Sequence, residues 1–310
     1  MGRYIVRRLL WIIPVILAVS IFVFTIMYFT PGDPEVIILG INATEEMYAA
    51  KRVELGIDLP YVVQLGNFLK DVFLKADFGT SYRTDQSVFK QVLACLPYTL
   101  YLAIGSVFLS IIIGIPVGVY AAVHRSTWKD NVSMFASLFC VSMPSFWFAL
   151  LLVMLFSLKL RWLPSVGADS FKAYILPCIS LAVGGAAGIA RQTRSSMLEV
   201  IRQDFITTAS SKGQSERIII YKHALKNALV PVITVIGMQI AAMFGGSLIA
   251  EAIFSIPGVG TYLLAGIGNR DYPAVRGGVL IVSVCFCVIM LIVDIVYALV
   301  DPRIREQYRL

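Results

Sequence analysis

Six stretches of this chain run for 17 to 27 residues without a charged side chain: Leu9–Phe29, Pro97–Val123, Val132–Leu158, Ala173–Ala190, Ala228–Ala250 and Gly277–Val293. The last resumes past Asp294 as far as Val300. A helix needs about 20 apolar residues to cross a hydrocarbon core about 30 Å thick. Inside that core the backbone must pair within its own segment, so open strands are excluded and the runs are read as helices. Only 15% of the residues are charged and 58% are hydrophobic, with mean hydropathy +0.80. Soluble domains are about a quarter charged. The expected class is an all-α integral membrane protein with six transmembrane helices.

The first run follows Arg3, Arg7 and Arg8. Its 21 apolar residues exceed a typical signal core, and Pro31-Gly32-Asp33-Pro34 follows in place of a small-residue cleavage site, so it reads as an uncleaved first span. With the N-terminus inside, the inner segments 1–8, 124–131, 191–227 and 301–310 carry 15 Lys and Arg, against 5 in the short outer segments 159–172 and 251–276. That bias sets both termini in the cytoplasm. The net charge of +7 belongs to these inner flanks beside anionic lipid and calls for no nucleic-acid partner. The cysteines Cys95, Cys140, Cys178, Cys285 and Cys287 lie in or beside apolar runs, without metal-ligand spacing, and read as small packing residues.

The chain divides into an N-terminal segment and first span (1–29), an outer polar segment (30–96), a core of five spans (97–300) interrupted by a polar inner segment (191–227), and a tail (301–310). The outer segment holds nine acidic and six basic residues and reads as two helices and a turn. Thr44-Glu45-Glu46 caps the first, Gly56 stops it, and Val62, Leu65, Leu69 and Val72 set a buried stripe on the second. It is either a lid on the span ends or a docking surface for an extracytoplasmic partner.

The inner segment 191–227 reads as two short helices joined at Lys212-Gly213. Asp204 is placed to cap a helix from Phe205, and Ser215 to cap the next, with Glu216 in its first turn. Ile218, Tyr221 and Leu225 fall on one expected face, continued by Ala228; Lys222 and Lys226 fall on another. Such a pair either lies on the lipid surface or forms a knob for a groove in a cytoplasmic partner.

The pattern Thr208-Ala209-x-x-Lys212-Gly213-x-Ser215-Glu216, then His223-Ala224-Leu225-x-Asn227-Ala228-Leu229-x-Pro231, resembles the cytoplasmic coupling loop of ABC importer permeases. The whole chain resembles the dipeptide, oligopeptide and nickel permease family, first of its two paired membrane subunits. The likeness runs through Pro31–Pro34, Glu54–Asp58, Asp77–Ser81, Ser142–Trp147, Trp162–Gly167, Ile253-Phe254-x-x-Pro257-Gly258-Val259-Gly260, Asn269–Pro273, and Val293-Asp294-x-x-Tyr297 into Asp301–Arg305. Two departures stand out: the family's EAA triplet reads Thr207-Thr208-Ala209, and Met290 or a neighbour stands where an Asn is usual before Val293. The resemblance implies the type I ABC importer permease fold, with an extracytoplasmic helical cap between the first two spans, in a bacterial inner membrane. It implies three kinds of partner besides lipid: a second related permease, two ATPases, and an extracytoplasmic binding protein. The ATPase-coupling residues it implies are Thr208, Ala209, Lys212, Gly213, Ser215, Glu216, His223, Ala224, Leu225 and Asn227. Short peptides or glutathione-like peptides are the implied cargo, with a nickel or other metal chelate as the alternative.

The chain has no Gly-x-x-x-x-Gly-Lys-Ser/Thr phosphate loop and no chain of buried carboxylates for proton coupling. ATP and Mg are therefore expected on separate subunits and no cofactor on this chain, which makes an enzyme or an ion-driven carrier the weaker reading. Met143, Phe146, Trp147 and Asp294 are pathway candidates; packing or lipid contact competes for the first three, and a buried polar anchor for Asp294. Pro257, Gly258, Gly260, Arg270 and Asp271 are outer-gate candidates, the 256–260 loop being too glycine-rich for continuous helix. Gly114/Gly118 and Gly184/Gly188 have the spacing of close helix packing, and Pro116 and Pro144 are expected to kink their spans.

Overall fold

A computed structural model describes residues 2–300; the tail, with its part of the charge bias and of the Asp301–Arg305 motif, lies outside them. The described residues form helices α1 (Gly2–Phe29), α2 (Pro34–Leu39), α3 (Glu45–Leu55), α4 (Tyr61–Lys75), α5 (Val88–Val123), α6 (Trp128–Ser142), α7 (Ser145–Leu152), α8 (Phe171–Val200), α9 (Asp204–Ser211), α10 (Glu216–Ile218), α11 (Leu225–Ile253), α12 (Val259–Gly268) and α13 (Tyr272–Val300). Val153–Lys159 and Ile219–Ala224 are π-helical. Among the described residues β structure is limited to a single bridge, Thr80 with Ser87.

Five helical stretches are long and apolar enough to cross a membrane, and α6 with α7 and its π-helical continuation makes the sixth, bent by 97°. Proline restricts the residue before it to extended conformations. Met143, just before Pro144, accordingly has φ −78 and ψ 128, and the span breaks there. Around Pro116, α5 stays helical from Val88 to Val123.

The described residues separate into two compact units, one of residues 2–98 and 257–291 and one of 99–256 and 292–300. The segment 257–291 groups with the N-terminal residues instead of with the core, because α12 and α13 share a hydrophobic core with the start of α5. Val88 and Val92 of α5, Val259 of α12 and Ile281 of α13 are its buried centre.

In that first unit the outer segment has three helices, one more than expected, since the six residues of α2 follow Pro34 at a helix start. Thr44 Oγ1 accepts a bond from Met47 N, and Gly56 closes α3 at φ +66, as read from sequence. Buried Glu35 of α2 accepts from Arg52 Nε of α3 at 2.5 Å. Of the expected stripe on α4, Val72 is buried and Leu65 and Leu69 are half-buried, but Val62 is 75% exposed; Tyr61 takes that end, its ring tilted against Phe24 and edge-on to Tyr28 of α1. Recruiting Tyr61 turns its neighbour outward. The loop at 256–258 is extended, but α12 already begins at Val259, so Gly260 is helical.

In the second unit α5, α8 and α11 form the centre. A Cβ on Gly114 would stand 2.6 Å from Ala186 O, and one on Gly118 2.5 Å from Ala190 O, so α5 and α8 touch backbone to side. The other glycine pair does not follow the expectation: Gly184 and Gly188 have nothing within 4 Å of a built Cβ. Gly185 is the close one, lying under the Gln239 side chain of α11. A polar ladder crosses this apolar centre. Gln239 Nε2 donates to Ser110 Oγ at 2.9 Å, and Ser110 Oγ donates to Ser106 O at 2.8 Å and Ala182 O at 3.0 Å. Satisfying these groups internally is what allows them in a span.

Candidate functional site: the polar segment between α8 and α11

The polar segment stands out from the second unit as a knob with a packed back and an open front. Its back consists of Ile206 and Ala209 of α9 and Ala224 and Ala228 around the start of α11. Ile206, Ala224 and Ala228 share a buried cluster with Val119 and Ala122 of α5 and Met197 of α8, and Ala209 is buried as well. Gly213 makes the turn at φ +74. A side chain there would meet nothing within 4 Å, so the position needs glycine for its backbone conformation and not for space.

The front is exposed from Gln203 through Phe205, at Thr207 and Thr208, and from Ser210 through Ile218. Of the coupling candidates, Thr208, Lys212, Gly213, Ser215, Glu216 and Asn227 are therefore accessible. Ala209 and Ala224 are not: both are buried and hold the knob to the bundle. Leu225 and His223 are half-buried, and Asn227 Nδ2 donates to His223 O at 2.7 Å. Two capping expectations fail. Asp204 is the first helical residue after Gln203, and Ser215 precedes α10 without a side-chain cap bond.

The expected face of Ile218, Tyr221 and Leu225, continued by Ala228, holds only in part: Leu225 and Ala228 pack inward with Ile220 and Ala224, while Ile218 is 43% and Tyr221 62% exposed. The cause is the π-helical stretch Ile219–Ala224, whose wider turns shift the register away from a 3.6-residue period. Phe205, 44% exposed, joins Ile218 and Tyr221 as apolar side chains on an otherwise polar front. None of these three stood among the expected coupling residues; Ile218 and Tyr221 were read only as sharing a face with Leu225.

One ion pair was not foreseen either. Arg194, one turn before the end of α8, donates from Nε to Asp130 Oδ1 at 2.6 Å and from Nη2 to Oδ2 at 2.7 Å. Asp130 of α6 is buried and also accepts from Ser126 N at 3.0 Å. This two-pronged bond fixes the 124–131 turn to the helix that leads into the knob. The two residues lie 64 positions apart, and no local spacing links them.

Residues 114–306 match the family described as the binding-protein-dependent transport system inner membrane component, and residues 1–103 match the N-terminal region of such membrane components. The chain belongs to that family. It is a multi-pass inner-membrane permease subunit. The dipeptide transport system permease protein DppB of Alkalihalophilus pseudofirmus is 41% identical, over 98% of this chain and all of the relative. The glutathione transport system permease protein GsiC of Salmonella choleraesuis is 40% identical over 98% of this chain and 99% of the relative, and GsiC of Escherichia coli strain K12 is 38% identical over the same shares. Among solved structures, a chain of the MetNI methionine ABC transporter in an inward-facing conformation superposes with TM-score 0.58 at 19% identity, covering 69% of this chain and 97% of that one. The ABC importer permease fold is the shared feature.

In this permease the pathway candidates fall in different surroundings. Met143 stands at the α6–α7 bend, where it lines a small cavity of about 60 Å³ with Cys140, Phe148 and Gly184. Phe146 and Trp147 are 47% and 46% exposed on α7. Asp294 is half-buried on α13, beside Val293, whose Cγ1 packs directly against Gly237 of α11. Buried Glu251 of α11 accepts from Thr99 Oγ1 at 2.8 Å and Ser247 Oγ at 3.1 Å. The gate candidates belong to the first unit. Arg270 is exposed at φ +54; Pro257 is exposed and Gly258 buried. Asp271 is buried and caps α13, accepting from Ala274 N at 3.3 Å, Ser81 Oγ at 2.5 Å and Tyr82 N at 3.2 Å. Those bonds give it a structural task, tying the 77–82 loop to a helix start.

Proposed function

We propose that this permease is a membrane subunit of an ATP-driven importer of short peptides, dipeptides or glutathione-like peptides among them. The observation that carries the reading is the knob: a polar front with three exposed apolar side chains, backed by a buried cluster that joins it to α5, α8 and α11. A surface of that kind suits docking by a cytoplasmic protein and passes its displacement to the spans as a rigid body. The peptide cargo is supported by relatives about 40% identical over nearly the whole chain, one named for dipeptide and one for glutathione transport.

In this reading both termini and the knob face the cytoplasm, and residues 30–96 face outward. The partners are a second related permease, two ATPases seated on the knobs, and an extracytoplasmic binding protein that delivers cargo. ATP and Mg belong to the ATPases; this chain performs no catalysis and holds no cofactor. Met143, Phe146, Trp147 and Asp294 remain proposals for the cargo path, as Pro257, Gly258, Gly260 and Arg270 do for its outer end. The test is a mild-detergent pull-down of the tagged chain with mass spectrometry of proteins and small molecules. Recovery of a second permease, ATPases and a peptide-loaded binding protein is expected. Uptake by the chain alone in liposomes without ATP would overturn the proposal.

A further inference from the structure

The first unit contains a cavity of about 500 Å³ enclosed by the outer end of α1, helix α4, the chain around Gly56 and the start of α13. Its wall mixes aromatic and apolar side chains with polar ones in about equal share, and one full cation stands in it: Arg276. The guanidinium lies 5.2 Å from the Phe24 ring centre and 5.4 Å from that of Phe68. Within the protein it hydrogen-bonds from Nε to Tyr272 O at 3.4 Å and to the Tyr82 side chain. Among the described residues no carboxylate reaches it within salt-bridge distance. Asp71 shares the cavity wall, but its Oδ1 takes Lys75 Nζ at 2.8 Å. A desolvated guanidinium carries a large cost until it is paired. Two aromatic faces offset part of that cost, and they leave available the in-plane N–H donors that Tyr272 and Tyr82 do not take.

Depth and neighbouring donors narrow what completes the pair. Arg276 directly precedes the uncharged run that begins at Gly277, and Thr30, also on the wall, directly follows the run that ends at Phe29. The cavity therefore lies where hydrocarbon gives way to headgroups. Tyr82 and Asn67 add a phenol and an amide to the wall. Burial raises the Tyr82 phenol above its ordinary value, so it stays protonated and able to donate.

We propose that this cavity is a binding site for an oxyanion, a phosphate or carboxylate held in the fork of Arg276 and backed by Phe24 and Phe68. Two sources present that chemistry: the headgroup of an anionic phospholipid with its chains along α1, or a free anion from the outer solution. The site is independent of the cargo reading, because binding and not uptake is measured.

The experiment uses the full chain, delipidated in detergent. One arm adds vesicles of equal phosphatidylglycerol and phosphatidylcholine and counts retained lipids by native mass spectrometry. The other adds inorganic phosphate or acetate and follows thermal unfolding. Retention of one phosphatidylglycerol identifies a lipid headgroup; a rise in melting temperature with phosphate or acetate identifies a free anion. In either case Arg276→Gln is expected to weaken binding about tenfold or more, as for loss of a charged hydrogen-bond partner, and Arg276→Lys to keep most of it. Should Arg276→Gln fail to fold, Tyr82→Phe and Asn67→Leu take its place, each with weaker binding expected. Response to neither probe, or variants that bind as the parent does, overturns the proposal.

Discussion

At the scale of single residues, backbone demands and space demands separate cleanly. Gly213 has room for any side chain but holds φ +74, which costs other L-residues roughly 1–2 kcal/mol. Gly213→Val is expected to lower ATP-coupled uptake while Gly213→Asn, which tolerates that conformation, keeps it; uptake assays on the two variants in the assembled transporter decide. Gly118 is the reverse case, with helical backbone and no room. Gly118→Ala should cost about 1–3 kcal/mol by overpacking against α8, whereas Gly188→Ala, with open space, should leave the melting temperature in place. At the inner turn, Asp130→Ala strands Arg194, which is partly exposed, and about 2–3 kcal/mol of stability should be lost. The double variant with Arg194→Ala should recover part of that loss in thermal unfolding. The glycine turn and the α5 glycines were legible in the sequence because each rests on a local rule. The Asp130–Arg194 pair was not, since only the tertiary fold brings α6 and α8 together.

Among elements, what sequence periodicity read well were the straight ones. Five apolar runs became long helices, and Thr44 and Gly56 bound α3 as their types require. The failures fall where the period changes. The π-helical stretch Ile219–Ala224 breaks the 3.6-residue rule and parts Ile218 and Tyr221 from Leu225 and Ala228, with which they were expected to share a face. On α4, an aromatic cluster outweighs the simple stripe and leaves Val62 in solvent. The π-helical register makes a prediction at this scale. Ile218→Ala with Tyr221→Ala alters only exposed side chains, so stability should move by no more than about 0.5 kcal/mol. ATPase recovery in a pull-down should nevertheless fall. Ala224→Leu, on the buried side, should instead lower the melting temperature.

Over the whole molecule, charge sets direction and packing sets division. The excess of basic residues on the segments read as inner leads to a fusion test. Alkaline phosphatase inserted in the turn near Asn42 should be active outside the membrane, and the same reporter after Leu310 should be silent. The family match breaks between residues 103 and 114, inside α5, and the structural units part at 98, on the same helix. Hydropathy treats that helix as one span and carries no trace of the division, which depends on which side chains meet α12 and α13. The knob has its own division, between a back made of Ile206, Ala209, Ala224 and Ala228 and a front made of everything around them. Only the front would carry the identity of the motor that docks there. A transporter could exchange one ATPase lineage for another by rewriting roughly a dozen surface side chains between Gln203 and Tyr221, with the helix bundle left untouched, so that engine and conduit are free to evolve at different rates.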